Sequence, residues 1–212
     1  MKFLCTSLLL LAALALSGCS TVGESSSRTA SPSAINLQQM QVRKGTVGRR
    51  TEFPLRAKYI TVHSTSNRGA TALQHARGMA NGAFRGRSRW NRTGYVTWHF
   101  TVDDRVAIQS LPLNIQGEHA DHDGPGNRSS IAIEICEFRD ARRQAAAVDR
   151  AARLTAWLLN EKGLSLSRVV PHYHWPQHRF GGNKKPCPRI FMTRGRPGPR
   201  WQQFLRKVDG YR

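Results

Sequence analysis

The ten residues SSIAIEICEF, 129–138, constrain the fold more than any other stretch of the chain. The run is apolar at most positions, too short for a core helix, and dense in isoleucine. It reads as a strand buried within a sheet. One carboxylate interrupts it. Side chains alternate along a strand, so Glu134 points away from Ile133 and Ile135 and could project into a cleft. Its structural alternative is an ion pair with one of the chain's many arginines.

Other β-rich runs surround this one. KYITVHST (58–65) places His63 near a strand end, and YVTWHFTVDDRVAIQSLP (95–112) reads as two strands turning at Asp103-Asp104-Arg105. SRVVPHY (167–173) is a short strand. Between them lie helical patterns. GATALQHARGMANG is closed by Gly82, and Asp140 caps a helix through ARRQAAAVDRAARLTAWLLNEKG, in which Val148, Ala152, Thr155 and Leu159 share a face and Gly163 stops the run. PRWQQFLRKV predicts a last helix. Strands and helices interleave without strict βαβ rhythm. The expected fold class is therefore α/β, a mixed central β-sheet flanked by helices in a single domain.

The N-terminus stands apart. Lys2 precedes the apolar run FLCTSLLLLAALALSGCS, whose length and small-residue exit describe a secretory signal rather than a membrane span. Cys19, after Leu16, Ser17 and Gly18, resembles the cysteine of a bacterial lipobox and is the expected lipidation site. Residues 1–18 are then a lipoprotein signal peptide, and residues 19–50, rich in Ser, Thr and Gly, a flexible tether. Residues 51–212 form the domain. This predicts an exported lipoprotein with a membrane anchor. Ser20 beside the cysteine favours an outer membrane, facing the periplasm.

A formal net charge of +20, from 33 basic against 13 acidic side chains, demands an anionic partner. An exported, anchored protein meets wall polymers and lipid phosphates, so no nucleic-acid partner is expected, and a monomer is. With Cys5 in the signal and Cys19 lipidated, Cys136 and Cys187 remain. In an oxidising compartment they could form a disulfide. The rival use of Cys187 is as a metal-bound thiolate.

That rival comes from VVPHYHWPQHRFGGNKKPCPRI, 169–190, where imidazoles, a thiol and two ammonium groups gather in one loop-like stretch. A catalytic zinc takes three protein ligands and leaves one position open. His63, His172 and Cys187 could supply them, with Glu134 as the base and Lys185 as the cation for a developing oxyanion. Taken singly, His63 is as readily a core or surface histidine, and Lys184 and Lys185 a solvated turn. Only the combination points to chemistry.

YITVHSTSN, GYVTWHFTVDD, GPGNRSSIAIEICE and VVPHYHW…KKPCPRI occur in the order found in the zinc-dependent N-acetylmuramoyl-L-alanine amidases. The resemblance is to the amidase-2 group, which includes phage-type endolysins and is related to peptidoglycan recognition proteins; it spans roughly residues 58–192. It implies a mixed sheet around a Zn²⁺ cleft and hydrolysis of the amide between N-acetylmuramic acid and L-alanine in peptidoglycan or muropeptides. By motif position it implies His63, His172 and Cys187 as metal ligands and Glu134 and Lys185 as catalytic residues. His119 in GEHAD, Asn127, Arg128, Trp98 and His174 are the implied substrate contacts. A binding module of the same fold that does not cut is the alternative; such relatives typically lose the cysteine, which is present here. Three features depart from the family. Trp98 stands where some relatives have tyrosine, PQHRFGG lengthens the loop and adds His178, and Ala132 replaces a more usual glycine.

Overall fold

Ile131, Ile133 and Ile135 are wholly buried on one face of the predicted central strand, and the domain is built outward from them. The computed structural model describes residues 30–86, 90–177 and 181–212. The expected signal peptide, Cys19 and His178 lie outside the described residues.

Strands β1 (Leu37–Gln39), β2 (Tyr59–Arg68), β3 (Phe100–Val102), β4 (Ala107–Gln109), β5 (Ser130–Glu137) and β6 (Val169–Pro171) form one sheet. Their order across it is β1-β4-β3-β5-β2-β6. Only the β3–β4 pair is antiparallel; β5, β2, β6 and β3 run in one direction. The sheet is mixed, as the interleaved pattern predicts, and a two-stranded ribbon of β7 (Met192–Thr193) and β8 (Arg196–Pro197) lies apart from it.

Each turn and helix end has a local cause. Between β3 and β4, Asp103 Oδ1 accepts the backbone N–H groups of Arg105 and Val106 at 2.7 and 2.8 Å. Its other oxygen accepts the N–H of Ala72, 2.9 Å away, at the start of α2 (Ala72–Ala80). Thr71 and Gln74 complete a capping box there. Helix α4 (Ala141–Lys162) begins at Asp140, which accepts the N–H of Arg143, and ends at Gly163 in the left-handed region. Leu154, Leu158 and Leu159 of α4 join the isoleucines of β5 and Ile60 and Val62 of β2 in the main core. Trp201, Phe204 and Val208 of α5 (Pro199–Asp209) close it from the far side of α4.

The opposite face of the sheet is where function is expected. Ala132 packs there with Met79, Trp98 and Leu111 in a second apolar cluster. Thr61 and His63 of β2 lie beside Ala132 and Glu134 of β5 in register.

The tether assignment needs correction. From Ala30 onward the chain is docked, not free. Residues Pro32–Ile35 form a helical turn, α1, capped by Ser31, and β1 extends the sheet by pairing in parallel with β4. Ile35 and Val42 are completely buried, and the N–H groups of Met40 and Val42 donate to the carbonyls of Gln109 and Ser110 at 2.9 Å. The averaged Ser/Thr/Gly composition of 19–50 conceals these two well-placed apolar anchors. The domain therefore starts near Ala30, ahead of Thr51.

Ile35→Ala separates the two readings. Removing a fully buried isoleucine should cost roughly 2–5 kcal/mol in chemical denaturation. A loss within about 0.5 kcal/mol would return the segment to a tether.

Candidate active site

Parallel strands place ligand sites beyond their carboxyl ends. Here β2 delivers His63, β5 delivers Glu134 directly beside it in the ladder, and β6 runs straight into His172. The loop after His174 returns Cys187, whose carbonyl accepts the N–H of Tyr173 at 2.9 Å.

His63, His172 and Cys187 come together: their donor atoms lie within 4.8 Å of one another, and all three residues are buried. His63 Nδ1 faces His172 Nδ1 at 2.9 Å and Cys187 Sγ at 3.8 Å. Each outer nitrogen has a partner. His172 Nε2–H donates to the Ala120 carbonyl at 3.3 Å, and His63 Nε2 meets His119 Nδ1 at 3.0 Å. A proton on His63 Nε2 leaves both Nδ1 lone pairs aimed at each other. Such an arrangement calls for a cation between them.

A proton is a poor candidate for that cation. Burial depresses the His63 imidazole well below its ordinary range, and His172, His119 and Lys185 push the same way. Burial, then Lys185, lowers His172 to about 3. The Cys187 thiol is pushed up to about 12, chiefly by burial and next by the Glu134 charge. Three neutral donors thus surround one point. Zinc bonds of about 2.0–2.1 Å to nitrogen and about 2.3 Å to sulfur give tetrahedral edges of roughly 3.3–3.6 Å. The two measured separations bracket that range, so the cluster fits a metal ion.

Glu134 sits at its edge. One carboxylate oxygen is 3.9 Å from His63 Nδ1, and the other is buried without a hydrogen-bond partner among the described residues. Burial raises this carboxyl to about 8, against the pull of Lys185. It opens on a cavity of about 400 Å³ lined also by Thr65, Asn67, Arg85, Val96 and Trp98. Lys185 is exposed, two residues before Cys187, and the Cys187 N–H donates to its carbonyl at 2.8 Å. Its charge acts on all three metal-site residues and on Glu134.

The remaining expected residues fall differently. His119 is buried, with Nδ1 at 3.0 Å from His63 Nε2 and its own Nε2 without a hydrogen-bond partner among the described residues. Asn127 is 1% exposed; its Oδ1 accepts the N–H groups of His119 and Ala120 and its Nδ2 donates to the His122 carbonyl. Those bonds shape the loop. Arg128 is exposed on the short helix α3 (Pro125–Ser129), 4.0 Å from Asp123. His174 is exposed, edge-on to Trp175, and outside the three-donor cluster, of which His172 is a member. Trp98 is buried, donating from Nε1 to Thr101 Oγ1 at 2.7 Å, and forms a wall of the Glu134 cavity.

Cys136 and Cys187 are both free, which removes the disulfide alternative. Sequence reasoning missed Glu137. Its carboxylate accepts Ser64 Oγ–H at 2.8 Å, the Ser66 N–H at 3.2 Å and an Arg189 N–H at 2.5 Å, while Ser64 Oγ accepts the Arg189 backbone N–H at 2.9 Å. This clamp joins the strand bearing His63 to the loop bearing Cys187. A second acid three residues beyond Glu134 was the available signal.

Comparison with known proteins agrees with this geometry. Residues 53–190 match the family model described as N-acetylmuramoyl-L-alanine amidase. The N-acetylmuramoyl-L-alanine amidase XlyA of Bacillus subtilis (strain 168) is 42% identical over 164 residues, covering 76% of this chain and 47% of the relative. CwlH of the same strain, also an N-acetylmuramoyl-L-alanine amidase, is 36% identical, covering 76% of this chain and 56% of the relative. The chain thus spans about half the length of these curated relatives. The solved catalytic domain of XlyA superposes with a TM-score of 0.65 at 37% identity, covering 82% of this chain and 99% of that one. With a matched segment, a shared fold and a His-His-Cys cluster in one place, the chain belongs to the amidase-2 family of N-acetylmuramoyl-L-alanine amidases.

Proposed function

We propose that the chain is a zinc hydrolase of peptidoglycan or its muropeptides, cutting the amide between N-acetylmuramic acid and L-alanine. One observation carries the reading: a buried, unpartnered carboxylate oxygen on Glu134 stands at the mouth of a three-donor metal cluster. His63, His172 and Cys187 would hold the ion. When bound, zinc would supply Lewis acidity and lower the pKa of a water.

The chain's own groups do the rest. Glu134 takes a proton from the attacking water as the oxygen joins the lactyl carbonyl carbon, and returns it to the alanine nitrogen as the C–N bond breaks. It must be ionised to start, and both the Lys185 charge and a cation in the cluster favour that form. Lys185 stands where it would steady negative charge on the carbonyl oxygen. His119, against the outer nitrogen of His63, would orient that ring. Retention of Cys187 and Glu134 favours this over a binding module that does not cut.

Sequence features alone support export and lipid attachment at Cys19, with the domain held at a membrane, in an outer-membrane cell on its periplasmic side. Among the described residues no helix is long and apolar enough to cross a membrane.

Mass analysis of digested wall should find stem peptides with a free L-alanine amine and intact lactyl groups on the sugar. Cleaved sugar–sugar bonds with stems still attached would overturn the reading. Metal analysis should give one zinc per chain, and Cys187→Ser should lose metal and activity together. Glu134→Gln should keep the metal and lower turnover by about 10²–10⁴-fold; near-normal turnover would remove Glu134 from its role. Cys19→Ser should abolish incorporation of labelled fatty acid, and undiminished labelling would place the lipid elsewhere.

A further inference from the structure

A second cavity, larger than the one at Glu134, lies elsewhere in the domain. About 800 Å³ in volume, it lies where the end of β5, the first turns of α4, the turn Arg189–Phe191 and α5 meet. A drug-sized ligand occupies a similar volume. Its rim is cationic: Arg68, Arg139, Arg189, Arg200 and Lys207 line it. Arg189 is held by Glu137 at 2.5 Å and Lys207 by Asp149 at 3.0 Å. Arg68, Arg139 and Arg200 are exposed and have no carboxylate partner among the described residues. Three unpaired guanidinium groups around one hollow favour a phosphate, which matches their paired donors.

The floor decides what carries that phosphate. Ala141, Ala145, Val148, Ile190 and the buried rings of Phe138 and Phe204 form it. Two side-chain amides and the Glu137 carboxylate interrupt them; the carboxylate is held by Arg189, and Gln144 is already spent: its Oε1 accepts the Phe138 N–H at 2.9 Å and its Nε2 donates to the Cys136 carbonyl at 3.3 Å. Hydroxyls and amides of a glycan or peptide laid over the alanine, valine and phenylalanine carbons would lose water that those carbons cannot replace. Hydrocarbon loses nothing and covers apolar surface.

We propose that this hollow is a binding site for an anionic phospholipid, with its phosphate on Arg68, Arg139 and Arg200 and part of an acyl chain over Ala145 and Val148. A lipid seated there would lie one ion pair, Glu137–Arg189, from the loop that bears Cys187. The site stands independently of the catalytic reading.

The test uses the full chain and dihexanoyl phosphatidylglycerol below its micelle concentration, with binding followed by calorimetry. The expected result is affinity at least about tenfold above that for glycerol phosphate or for dihexanoyl phosphatidylcholine. Arg68→Glu combined with Arg200→Glu should weaken binding at least about tenfold, and so should Ala145→Glu, which blocks the floor from an exposed helical position. Arg56→Glu, an exposed arginine ahead of the opposite end of β2, should change it less than about twofold. Equal affinity for glycerol phosphate would make the occupant a bare phosphate and overturn the lipid. Equal affinity for the choline lipid, or an equal loss in Arg56→Glu, would reduce the effect to apolar contact or diffuse charge and overturn the site.

Discussion

The end of the sheet that gathers His63 and Cys187 depends on one buried carboxylate outside the donor cluster. Glu137, 3% exposed, holds Ser64, the backbone of Ser66 and Arg189 on a single pair of oxygens. Burial alone would raise its pKa, but the bonds from Arg189 and Ser64 outweigh burial and hold it below the usual carboxylate range. It therefore stays ionised at neutral pH, and its charge strengthens each bond. Ser64 follows His63 and Arg189 follows Cys187 by two residues. Two donors 124 residues apart in sequence are thus fixed by groups just outside the metal site.

The sheet explains why chemistry gathers at this edge. Parallel neighbours keep β5, β2 and β6 in step, so the residues leaving their carboxyl ends converge. Alternation then sorts them. Isoleucines go to the helix-covered face, and Thr61, His63 and Glu134 go to the other. Thr61 is itself tied down: its hydroxyl donates to Ser130 Oγ and accepts the Trp175 indole N–H at 2.9 Å. A one-residue slip of β5 against β2 would turn Glu134 into the apolar core. The three isoleucines forbid that slip.

How much of this was legible in the sequence follows from how local each signal is. Strands, the β3–β4 hairpin and the ends of α4 could be read because alternation, an Asx turn and an Asp/Gly pair of caps act within a few residues. The donor set could be read because two imidazoles and a thiolate have few joint uses, and ordered motifs tied them together. Bonds between distant segments were hidden. Nothing in GEHAD announces that His119 faces His63, or that Asn127 spends its amide on the loop before it. The docking of β1 was hidden for another reason. Ile35 and Val42 anchor a stretch whose average composition resembles a linker, and composition does not register position.

The same distinction bears on whether a metal makes this fold or merely occupies it. Small metal-bound domains often fold only when their ligands are gathered by the ion, because they have no sufficient core of their own. Here the isoleucine face of β5, the leucines of α4 and the aromatics of α5 form a continuous core away from the donors. The donors are held by bonds that do not involve the ion: Glu137 to Ser64 and Arg189, His119 to His63, and the Ala120 carbonyl to His172. The donors are thus tied to the fold by bonds of their own, in addition to any ion they hold. The donor cluster and the Glu134 oxygen that has no hydrogen-bond partner among the described residues share this one end of the sheet.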